Sequence, residues 1–131
     1  MSFANIKTVL ILDAITCCLM FLLCVHNRAT VAALLGLPDT VVSAAGWICL
    51  AAAASMLVAA AQHAPSRALT HLVVAGNLAW VAASLAVLGV LGAQMSRLGI
   101  AVTLAQALAV FMFAWLERKG TKASPRPVAA R

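Results

Sequence analysis

The chain has 131 residues, 65% of them hydrophobic and only 9% charged, with a net charge of +6 and a mean hydropathy of +1.07. A water-soluble domain carries about 25% charged residues, and so short a chain cannot hide this much apolar surface from water, so lipid is its natural solvent. No stretch alternates apolar and polar residues as a barrel strand does. The spans are therefore expected to be helices, which satisfy their own backbone hydrogen bonds.

Crossing the hydrocarbon core takes about 20 apolar residues as helix. The first run that qualifies is Thr8 to Val25. It carries Asp13, the only acid inside any apolar run. A charged side chain at a span centre costs about 2.5–3.5 kcal/mol on insertion scales, so such acids face other helices or water and often have a function. Asp13, Cys17, Met20 and Cys24 recur at helical spacing and share one face. Lys7 ahead of an apolar run also fits a signal peptide, with cleavage near Ala29–Ala32 leaving three spans. The length of the run, the interruption by Asp13 and the lack of a clean small-residue cleavage site argue against it.

The next segment, His26 to Asp39, is apolar in its middle but too short to span. It is expected to lie along the outer interface as a helical turn or two. Asp39 or Thr40 is placed to cap the second span. That span runs from Thr40 to Ala61 and holds Ser55, Trp47 and Cys49. The third runs from Leu69 to Leu91 with Asn77 and Trp80 inside it, and Asn77 and Ser84 share a face. Ala75, Ala79, Ala82 and Ala86 form a small-residue ridge suited to close helix packing. The fourth runs from Leu98 to Leu116, with Thr103, Gln106, Val110, Phe113 and Glu117 on one stripe. Residues 1–119 thus read as one membrane domain, an all-α, antiparallel four-helix transmembrane bundle. Residues 120–131 read as a disordered basic tail.

Lys and Arg mark the cytoplasmic side. Arg118, Lys119, Lys122, Arg126 and Arg131 follow the last span, Lys7 precedes the first, and Arg67 lies in the second loop. Only Arg28 and Arg97 lie opposite. Both termini are therefore expected in the cytoplasm, in a bacterial inner membrane. The basic tail is short and free of aromatics, so nucleic acid is not an expected partner. The bilayer is the expected one, with a homodimer or a larger membrane complex as a further expectation.

Counted from the cytoplasmic end of each span, Asp13, Ser55, Asn77 and Gln106 lie at a similar depth, roughly 8–15 Å by the helical rise. The expectation is one interior polar layer made of these four side chains. It serves either as interhelical glue or, through Asp13, as a proton or substrate site. His63 and His71 sit near span ends, and with Glu117 they would form a proton antenna leading towards Asp13. The four cysteines fall within the spans and read as small apolar residues. No catalytic motif, metal site or cofactor site is expected. No G-x-S-x-G, H-E-x-x-H or Gly-rich phosphate loop occurs.

A first span, an apolar segment ending Leu34-Leu-Gly-Leu-Pro38, and three further spans resemble the layout of small bacterial DoxX-like membrane proteins. Asn77-Leu-Ala-Trp-Val-Ala-Ala-Ser84, with Gln106-Ala in the last span, also looks like uncharacterised bacterial four-helix inner-membrane proteins. Neither likeness supplies a catalytic residue. The small multidrug resistance exporters share the length, the four spans and a first-span acid. Their acid is a glutamate, however, and their Gly- and aromatic-rich packing pattern is missing here. Three functions follow: a structural or accessory membrane protein, a proton-coupled transporter or efflux subunit using Asp13, and, from the DoxX-like layout alone, a redox or quinone-associated subunit.

Overall fold

The computed structural model describes residues 3–63 and 66–122, with side chains described for 6–63 and 66–119. Five helices follow one another: α1 (Phe3–His26), α2 (Arg28–Leu35), α3 (Asp39–Ala61), α4 (Arg67–Leu91) and α5 (Arg97–Lys122). All but α2 are long and apolar enough to cross a membrane. Each long helix overruns its apolar core at one or both ends, because polar residues at span ends can still continue a helix. The run from Thr8 extends back to Phe3, and α5 continues past Leu116 to Lys122. Residues 120–122, expected to be disordered, are helical; the rest of that expected tail lies outside the described residues.

Polarity is distributed inside out relative to a water-soluble bundle. Leu19 is 56% exposed, Leu72 62% and Leu108 65%, whereas Asp13 is 1% exposed and Glu117 0%. In water this arrangement would expose apolar surface and bury carboxyls, both unfavourable. In lipid it is the favourable one. The chain is a multi-pass helical membrane protein.

The helices pack as two pairs, α1 with α3 and α4 with α5, joined where α5 meets α1. Near the end of the bundle that carries the chain ends, Ile6, Leu10 and Ala14 of α1 lock against Ala53, Met56 and Ala59 of α3 and Val73 of α4. Small residues bring the first pair close. A Cβ on Gly46 would lie 2.9 Å from Val25 Cγ2 and 3.0 Å from Cys24 Cβ, so α3 approaches α1 there only because that atom is absent. By contrast α3 and α4 meet over a much smaller surface.

The helix ends are closed locally. Ser66 caps α4 by accepting from Leu69 N (3.2 Å), and Gln62 Oε1 accepts from Ser66 N (2.7 Å). Pro38, rather than Asp39 or Thr40, is the residue ahead of α3, and no side chain caps that end. Asp39 is instead the first helical residue, with its carboxylate 3.4 Å from Arg28 Nε. It there complements the positive end of the helix dipole.

The short helix α2 fulfils the expectation of a turn or two beyond the first span. Gly36 ends it in the left-handed region (φ 67°). Ser96 pins it to the start of α5: its N–H donates to Leu35 O (3.0 Å) and its hydroxyl to Leu34 O (2.6 Å). The same hydroxyl accepts from Gly99 N (2.9 Å), capping α5.

Candidate functional site: a buried amide between two carboxyls

Helix geometry brings three polar side chains of α1, α4 and α5 to one interior point. Asp13 lies on the face of α1 that also presents Leu10 and Cys17 inward. Asn77 is 5% exposed and sits on the inner face of α4 with Val73 and Ser84. Asn77 Nδ2 donates to Asp13 Oδ2 at 2.8 Å and to Glu117 Oε2 at 3.1 Å. A primary amide has two N–H groups, so this one has a hydrogen for each carboxyl. The Cys17 thiol adds a weak contact to Asp13 Oδ1 at 4.0 Å.

The four side chains expected in one layer all line one cavity, but their hydrogen bonds divide them among three groups. Asp13 and Asn77 meet. Gln106 belongs to a second cluster one to two turns along α4: Trp80 Nε1 donates to Gln106 Oε1 (2.7 Å), and Gln106 Nε2 donates to the Ser84 hydroxyl (2.9 Å). Ser84 in turn donates to Trp80 O (2.8 Å). Ser55 donates back to Ala52 O within its own helix (2.7 Å) and bonds no other span there. A hydroxyl that can reach a carbonyl on its own helix has no need of a neighbour. An amide must look across the interface. Equal depth therefore brought the four to one cavity without making one hydrogen-bonded layer.

Glu117 is the member that depth counting left out. It lies beyond the apolar run Leu98–Leu116, where an acid is expected at the interface, yet it is fully buried. The sequence does carry a signal for it: Glu117 lies on the same α5 stripe as Thr103 and Gln106, and that stripe faces inward. His63 and His71 are both exposed, whereas Glu117, the third member of the expected antenna, is buried and linked to Asp13 through Asn77. The exposed ridge Ala75, Ala79, Ala82 and Ala86 likewise points away from the bundle interior.

Two cavities flank these clusters. The inner one, about 320 Å³, is lined by Asp13, Cys17, Ser55, Asn77, Trp80 and Phe113 among others. The outer one, about 290 Å³, lies beneath α2 and reaches Leu35, Val42, Ser84 and Thr103. Met20, Ile48, Trp80 and Gln106 line both, so the Trp80–Gln106 hydrogen bond forms part of the wall between them. Asp13 and Asn77 front the inner cavity and Glu117 does not, so Glu117 stands behind the Asn77 amide.

Trp115 lies at the end that carries Glu117, with Lys119 Nζ 3.6 Å above its ring. Trp47 is exposed and packs edge-on to Phe21, 5.2 Å between centroids. Among the described residues no group of three or more His, Cys, Asp or Glu is placed to hold a metal ion. The cysteines are free thiols, with Cys24 and Cys49 buried. No family model, curated protein or solved structure matches the chain.

Proposed function

We propose that this chain is a small multi-pass protein of a bacterial inner membrane, with both termini in the cytoplasm, that binds a proton at the Asp13–Asn77–Glu117 cluster. On this reading it acts as a proton-coupled transporter or efflux subunit. The observation that carries it is the Asn77 amide held between two buried carboxyls at the wall of a cavity. The two hydrogen bonds place the bonded oxygens no more than about 6 Å apart. At that distance two charges repel by about 3 kcal/mol at an effective dielectric constant near 20. One proton removes this cost, so the pair is built to take up and release one. The topology rests on the bias of Lys and Arg towards one side.

A second reading, a structural or accessory protein, draws on a different observation. The Ser84–Gln106–Trp80 cluster and the Asn77 bridge tie α4 to α5 and α1 whatever fills the cavities. Infrared difference spectroscopy of the protein in lipid nanodiscs separates the two, with Asp13→Asn and Glu117→Gln assigning the carboxyl bands. A carboxyl band that titrates between about pH 5 and 9 and vanishes in one of these variants supports proton exchange. Bands that stay constant across that range refute it and leave the structural role. A carboxy-terminal reporter active only in the cytoplasm tests the orientation.

A further inference from the structure

We infer that the inner cavity is a binding site for a small amphipathic cation, a protonated amine on a compact apolar body, which enters sideways from the lipid between α3 and α4. The inference deepens the proton-binding reading and rests on it, because the amine and the proton would compete for Asp13.

Four features of the cavity define the occupant. The wall is apolar on most sides, with Met20, Ile48, Val73 and Phe113 facing the space, and the carboxyl of Asp13 is its one acid. An apolar body is favoured throughout that wall, and a single positive charge only at Asp13. A volume of about 320 Å³ lies at the small end of the roughly 300–1,000 Å³ range of small-molecule pockets. It suits a single-ring or short-chain amine. Trp80 and Phe113 also line the space and offer ring faces to a cation.

The route follows from the packing. α3 and α4 form the loosest neighbouring pair among the long helices. Cavity-lining residues on either side of that seam, Ile48 and Ala51 of α3 and Leu72 and Gly76 of α4, are exposed on the outer surface of the bundle. In a bilayer that surface is covered by lipid, and an amphipathic amine concentrates at the lipid interface with its apolar body among the acyl chains. The seam is open at Gly76, where nothing lies within 4 Å of the position a Cβ would occupy. On the side of the second cavity, the Trp80–Gln106 bond forms part of the wall.

The test uses the full chain in nanodiscs, with protein-free nanodiscs correcting for partition into lipid. The probes are 2-phenylethylamine, its neutral analogue 2-phenylethanol and the anion phenylacetate, with binding followed by calorimetry. The expected result is saturable binding of the amine alone. A charge-assisted hydrogen bond is worth about 1.5–3 kcal/mol, so Asp13→Asn is expected to weaken binding by about tenfold or more. Gly76→Leu, which fills the seam, is expected to slow association and dissociation severalfold, read by stopped-flow tryptophan fluorescence. Equal binding of amine and alcohol on the native protein, or no saturable binding of either, overturns the inference even if Asp13→Asn fails to fold. Unchanged rates in Gly76→Leu overturn the lateral route. A titrating Asp13 band without amine binding sinks this inference alone. Amine binding beside a carboxyl band that never titrates sinks the proton-coupling reading and leaves the cation site.

Discussion

Replacing Asn77 with Ala tests whether the amide is the bridge that lets two acids share one interior. The change removes two interhelical hydrogen bonds, 2.8 Å to Asp13 and 3.1 Å to Glu117. Such bonds are worth about 0.6–2 kcal/mol each in membrane helices, so the direct loss is about 1–4 kcal/mol. The repulsion of the two carboxyls, about 3 kcal/mol at about 6 Å when both are charged, is present in the parent as well and adds nothing to this loss unless the acids move closer. Asn77→Ala is therefore expected to cost about 1–4 kcal/mol. Glu117→Gln added to it should recover a large part, because the second acid is then gone and Gln can donate to Asp13. Asp13→Ala added to it should recover part as well. The assay is reversible unfolding in mixed micelles of a mild detergent and dodecyl sulfate, followed by tryptophan fluorescence and helical circular dichroism for all members of the cycle. Independent sites add to within about 0.5 kcal/mol. A loss smaller than that in Asn77→Ala, or strict additivity of Asn77→Ala with Glu117→Gln, would refute the bridging argument.

Three further outcomes follow from the packing. Trp80→Phe keeps most of the ring but loses the donor to Gln106 Oε1; it is expected to cost about 1 kcal/mol in the same unfolding assay and to raise solvent access between the two cavities, read by thiol labelling of Cys49. Gly46→Leu would drive a side chain into Val25 and Cys24 and is expected to cost about 2 kcal/mol or more or to abolish folding, whereas Gly89→Ala, with nothing within 4 Å of its added atom, should stay within about 0.5 kcal/mol of the parent. Ser96→Ala removes the hydroxyl bonds to Leu34 O and Gly99 N and should raise amide hydrogen exchange across α2 without altering exchange in α3; protection of α2 at the parental level would show that Ser96 does not hold it.

The sequence by itself determined that the protein is helical, that it lives in lipid and where its four spans lie, because apolar run length and the need to satisfy backbone hydrogen bonds are local properties of the chain. It also singled out Asp13 and Asn77, since each is costly in an apolar run and so announces itself without any knowledge of neighbours. What meets what was decided only by the tertiary structure. Depth along the membrane normal put Ser55 and Gln106 at one cavity with Asp13 but not in one hydrogen-bonded group, because depth is one coordinate. Helix rotation and pairing supply the others. Rotation let Ser55 bond its own helix, gave Gln106 to Trp80 and Ser84, and turned Glu117 inward from a position where its distance along the chain suggested the interface. The partition of the interior into two cavities, and the seam between α3 and α4, likewise follow from which helices pack tightly. That depends on small residues such as Gly46 meeting a complementary surface on another helix, and only the folded chain brings those two surfaces together.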